Sequence, residues 1–172
     1  MNMETYEWTC SCCGKVMAGL PLAFGFKAPD HWLNVSAADM ETSWMSDDFC
    51  LIHESNGEVA RYIRCVLPMP VSGFDVLEFG FGVWMSVSER SWDIYNRGFD
   101  TARYADEGCF GYLGNSISAY PGGLHLGCDV YFQPDRQRPM AHVHKCENLL
   151  AIEQLNGIKI EIIEALVAKS PH

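Results

Sequence analysis

Residues 77–87, LEFGFGVWMSV, decide the fold class. Phe79, Phe81, Val83, Met85 and Val87 alternate there with Gly80, Gly82, Trp84 and Ser86. A period of two puts successive side chains on opposite faces of a strand, so one face is apolar and the other small apart from Trp84. Glycines on that second face predict a closely approaching neighbour, with a packed helix favoured over a ligand. Just upstream, Val59 to Pro68 (VARYIRCVLP) is a second strand rich in β-branched and aromatic residues, and Phe49 to His53 is a shorter one.

Downstream, Ser88 to Arg97 reads as a helix capped by Ser88 and stopped at Gly98. Cys109 to Leu113 and Leu124 to Gln133 read as strands, and a turn at 134–137 leads to a strand from Met140 to Cys146. Glu147 to Asn156 and Ile158 to Lys169 read as helical segments meeting near Gly157. At the other end, Tyr6 to Cys10 is a short β-like run, 18–34 is irregular, and Ser36 to Met45 reads as one short helix. Strands followed by helices predict an α+β fold: a mainly antiparallel β-sheet with helices packed on it and a C-terminal helical segment. One domain over residues 1–172 is expected at this length.

The chain is 48% apolar and 20% charged, the balance of a globular protein. MNMETYEWTC carries Glu4 and Glu7 and no apolar run, so no signal peptide is expected. No stretch approaches the ~20 apolar residues that span a bilayer. A cytoplasmic protein is expected, with its eight cysteines held as thiols or metal ligands. The net charge of −10, from 22 acidic and 12 basic residues, argues against nucleic-acid and anionic-membrane binding. It suits a basic protein partner and is compatible with a homo-oligomer.

Cys10-Ser11-Cys12-Cys13-Gly14 contains a Cys-x-x-Cys pair, Cys10 and Cys13, whose tight turn can present two thiolates to one zinc ion. No second Cys-x-x-Cys follows. His142, His144 and Cys146 alternate along one strand face and could supply the other two ligands, with Cys12 as a further substitute. The alternative is a buried turn and a solvent-facing histidine strand, with no cofactor. Gly-x-Ser-x-Gly, phosphate-loop and His-Glu-x-x-His patterns are absent from the sequence. Cys50, Cys65, Cys109 and Cys128 lie in apolar runs and read as core residues.

Several strings in fixed order resemble a known family: Cys10-x-x-Cys13-Gly14, Gly19-Leu20-Pro21, Asp48-Phe49-Cys50-Leu51-Ile52, Phe79 through Ser88, Phe110-Gly111-Tyr112-Leu113 and Leu150-Ala151-x-Glu153-Gln154. The chain thus resembles the bacterial family of unknown function DUF2199 from roughly Tyr6 to Ile163. The resemblance implies a small bacterial cytosolic protein and carries over no activity. In that family a histidine often stands at the position of Met17 and another at that of Asn148. A Cys-Cys-His-His site in relatives would here be lost, or rebuilt from His142, His144 or Cys12. The leading expectation is a non-enzymatic protein-interaction module of immunity or regulatory kind, with Trp84, Trp92 and Tyr95 as its surface. The alternative is a structural zinc domain. An enzyme with its pocket on the glycine-bearing face of 77–87 ranks third.

Overall fold

The structure, a computed structural model, describes residues 6–75 and 77–169. Residues 1–5, on which part of the leader-free reading rests, lie outside the described residues. The strands are β1 (Glu7–Thr9), β2 (Val16–Ala18), β3 (Ala23–Gly25), β4 (Trp44–Met45), β5 (Phe49–His53), β6 (Val59–Pro70), β7 (Glu78–Val87), β8 (Gly108–Leu113), β9 (Gly127–Tyr131) and β10 (Met140–Val143). The helices are α1 (Ala37–Met40), α2 (Glu89–Gly98), α3 (Leu149–Asn156) and α4 (Ile160–Ala168), with a 3-10 turn at Asp30–Asn34.

The α+β expectation is corrected: the protein is mostly β, and β6 to β10 close into a five-stranded barrel. Each of these strands runs antiparallel to the next, and β10 returns to β6 in parallel through Met140 and Val66. Five alternately directed strands must close with one parallel contact, so a closed barrel with a parallel seam replaces the expected mainly antiparallel sheet with helices packed on it. β6 and β7 are long enough to serve twice. The start of β6 pairs with β5, and the start of β7 pairs in parallel with β3, outside the barrel.

The apolar face predicted for β7 fills the interior: Phe79, Phe81, Val83 and Met85 pack with Ile63, Leu67 and Met69 of β6 and Val130 of β9. The opposite face needed glycine for a different reason from the helix expected there. A Cβ on Gly82 would come within 3.3 Å of the Gly25 backbone on β3, and one on Gly80 within 3.2 Å of the Val66 side chain. Neighbouring strands and the Arg64 side chain fill that space. Ser88 caps α2 by accepting from the Ser91 amide, as its position suggested. The helix expected over Ser36 to Met45 shrinks to α1, because Trp44 and Met45 pair with Leu51 and Cys50.

The buried side chains make the fold labile to alkali. Burial pushes the Cys50 and Cys128 thiols from 9.0 up to about 12, and the Tyr62 hydroxyl from 10.0 up to about 12. The native state keeps these protons while the unfolded chain loses them, so this stability is intact below about pH 9 and falls as pH rises toward about 12. The urea midpoint under reducing conditions should therefore drop clearly between about pH 8 and about pH 10.5. A flat midpoint across that interval would contradict this.

Candidate functional site

The β1–β2 hairpin presents the cysteine knuckle. Its arms pair Glu7 with Ala18, Trp8 with Met17 and Thr9 with Val16. At the tip the Cys10 amide donates to Lys15 O and the Gly14 amide to Cys10 O, both at 2.8 Å. Gly14 turns the chain at φ 70°, a conformation that costs glycine little. The Cys10, Cys12 and Cys13 sulfurs all lie within 4.8 Å of one another. Cys10 and Cys12 are 3.0 Å apart and share a hydrogen bond. That bond, with some desolvation and the nearby Cys13 sulfur, pushes the Cys12 thiol up to about 11.

Cys10 is buried with Trp8 and Ala168, and Tyr6, Met17 and Val167 pack against this group. Trp8 donates its indole N–H to Gly19 O at 3.1 Å, bracing the hairpin itself. The Tyr6 hydroxyl donates to Glu164, which with the packing on Ala168 ties the hairpin to α4. Cys12 and Cys13 face solvent. The chemistry available is that of three thiols able to lose their protons to solvent and bind one shared cation as thiolates.

The structure brings Cys12 into this group and leaves His142, His144 and Cys146 out of it. Period-two alternation sends His142 and His144 to the outer wall of the barrel. His144 Nε2 sits 2.8 Å from Asp129 Oδ1, and His142 meets the Tyr131 ring edge-on at 5.6 Å. Cys146 is exposed beyond β10. Asn148 caps α3, accepting from the Leu150 amide at 2.9 Å and donating to Pro121 O at 3.1 Å. Met17, by contrast, pairs with Trp8 across the hairpin and packs against the buried group of Trp8, Cys10 and Ala168.

The aromatic surface expected at Trp84, Trp92 and Tyr95 is corrected. Trp84 is 0% and Tyr95 1% exposed. Phe26, Trp32 and Val35 fold across Trp84, while α2 turns Tyr95 onto Phe49, Tyr104 and Phe132. Trp92 is half-buried, edge-on to Phe49 and Trp44. The aromatics that do face solvent include Phe110, Tyr112 and Tyr131 on the outer wall of β8 and β9.

Sequence reasoning also missed a polar chain beside a cavity of about 280 Å³ that His31, Tyr62, Asn34 and His125 help to line. Glu54 Oε1 lies 2.8 Å from His31 Nε2, and His31 Nδ1 lies 3.1 Å from the Tyr62 hydroxyl. With the carboxylate accepting from Nε2–H, Nδ1 accepts from Tyr62 O–H. Burial, reinforced by Cys50, Glu54 and Asp30, holds Tyr62 protonated up to about 12, so it donates hydrogen bonds and supplies no nucleophile at neutral pH. Asn115, fully buried, fixes this end of the barrel: it accepts from the Trp84 amide and donates to Ala28 O and Asp30 Oδ1. No local spacing links residues 31, 54 and 62, which is why the sequence carried no signal of them.

No helix among the described residues is long and apolar enough to cross a membrane. The family described as an uncharacterized protein conserved in bacteria, DUF2199, matches residues 9–158, and the chain belongs to it. Neither the curated proteins nor the solved structures contain a match.

Proposed function

We propose that this DUF2199 member is a binding module whose N-terminal knuckle holds a structural metal ion on the thiolates of Cys10, Cys12 and Cys13. The observation that supports this is the convergence of three sulfurs within 4.8 Å on a turn already closed by two backbone hydrogen bonds. An ion there would replace the proton shared by Cys10 and Cys12, and would anchor the exposed tip to a hairpin docked on α4. A reducing, cytoplasmic setting fits, because the exposed Cys12, Cys13 and Cys146 remain thiols there.

Protein purified under reducing conditions from metal-supplemented cells should carry about one ion per chain by elemental analysis. Cys13→Ala should lose it, while Cys146→Ala, outside the cluster, should keep it. Metal-free wild-type protein, or equal retention by Cys13→Ala, would refute the reading. Binding should release protons and weaken as pH falls, since each ligand must be a thiolate.

A second reading, a protein-interaction module of regulatory or immunity kind, is supported by the exposed aromatics of β8 and β9. Phe110 and Tyr112 meet edge-on at 4.8 Å on this outer wall. With a net charge of −10 on the chain, the fitting partner is a protein with a basic surface. Cross-linking in the native host should trap the same basic protein with wild type and lose it with Tyr112→Ser, whose exposed position spares the fold.

A further inference from the structure

Among the described residues, the donors gathered at the knuckle are all sulfur: the group formed by Cys10, Cys12 and Cys13 includes no histidine nitrogen and no carboxylate oxygen of a described residue. Zinc in a structural site completes a tetrahedron, commonly with cysteine or histidine. The partly buried side chain packed against the group that holds Cys10 together with Trp8 and Ala168 is instead a methionine, Met17. Trp8 and Met17 are directly paired across the hairpin, and Cys10 stands two residues beyond Trp8. Alternation therefore puts Trp8, Cys10 and Met17 on one face, and Met17 packs against the group that contains Cys10. Thiolates with a thioether form a soft donor set, which favours copper(I).

We propose that the knuckle takes copper(I), with the Met17 thioether joining the thiolates of Cys10, Cys12 and Cys13. This rests on the metal-holding reading above and names its ion. Each coordinating thiol surrenders its proton to solvent as the Cu–S bond forms, and the copper stays in the +1 state throughout. The hairpin needs little rearrangement, because its turn is closed by the Cys10–Lys15 and Gly14–Cys10 backbone bonds without an ion. Trp8, packed with Cys10, provides an internal reporter of occupancy through quenching of its emission.

Any cluster of thiolates binds copper(I), so Met17 decides the matter. Reduced, metal-free protein is titrated anaerobically with copper(I) against bathocuproine disulfonate and, separately, with zinc(II) against a chromophoric chelator. Wild type, Met17→Leu and Met17→His are compared, with circular dichroism confirming that each is folded. Leucine preserves the volume of methionine and removes only the sulfur. Met17→Leu should weaken copper(I) binding by roughly 10-fold or more and leave zinc binding unchanged. Met17→His should raise zinc affinity, since imidazole is a favoured zinc ligand. Unchanged copper(I) affinity in Met17→Leu, or an equal loss for both ions, would overturn the copper assignment while leaving the metal-holding reading intact. Failure of wild type to bind either ion would overturn both.

Discussion

Gln154→Leu should destabilise the protein by roughly 3–6 kcal/mol, because one side-chain amide staples the seam at which the barrel closes. The seam is short of backbone partners. β10 pairs with β6 only through Met140 and Val66, next to a bond from the Val66 amide to Pro139 O. Beyond that point β6 carries Pro68 and Pro70, which bring no N–H to the edge. Gln154 reaches in from α3 and donates to Pro68 O on β6 at 3.1 Å and to Ala141 O on β10 at 2.9 Å. Its carbonyl accepts from the Val143 amide at 2.8 Å. Pro70 O is taken by the Ile158 amide at 2.7 Å, just after the helix ends at Gly157.

Leucine would leave three backbone groups without partners, at about 1–3 kcal/mol for each buried one. Urea unfolding of wild type and variant measures the loss, and hydrogen exchange at Val143 locates it. A loss below about 1 kcal/mol would show that water or strand pairing replaces the amide. Gln154→Glu is a useful second variant: it keeps an acceptor for Val143 and removes both donors, so it too should be strongly destabilised.

Trp84→Ala should cost about 3–5 kcal/mol, the range for emptying a large aromatic site. Trp84 is completely buried with Cys50, Ile52 and Tyr62. Its indole N–H donates to Phe26 O at 3.1 Å, and the Arg64 guanidinium lies 5.8 Å above its ring. The alanine variant therefore opens a cavity and strands the Phe26 carbonyl together. Amides around 26–35 should exchange faster than those of β6 and β7, since Phe26, Trp32 and Val35 lose the surface they cover. Wild-type stability in this variant would restore the exposed position that the sequence suggested for Trp84.

These two residues show where sequence reading stops. Gln154 belongs to a recognisable string, yet nothing in its neighbours says that its amide reaches 86 residues back to Pro68. At Trp84 the alternation correctly separates the two faces of β7. Which face meets water depends on whether 26–35 crosses it, and that is a property of the chain path. The metal-ligand expectation divides in the same way. Cys10 and Cys13 were legible as partners because a four-residue turn must bring them near each other. Cys12 joins them through the turn's detailed geometry, whereas His142 and His144 follow the outward face of β10 away from them.

By itself the sequence determined the family resemblance, the positions of β5, β6 and β7, the Ser88 cap, the break at Gly157 and the Cys10–Cys13 knuckle. The resemblance rests on strings spread along the chain; each of the others rests on interactions among residues close in sequence, where side-chain period, capping hydroxyls and turn glycines act directly. Tertiary structure alone decided that the strands close into a barrel, that Trp84 and Tyr95 lie inside, and that Glu54, His31 and Tyr62 form one polar chain. The physical reason is that closure depends on strand register and on a single seam between β6 and β10. There Pro68, Pro139 and Gln154 meet only after the intervening chain has folded.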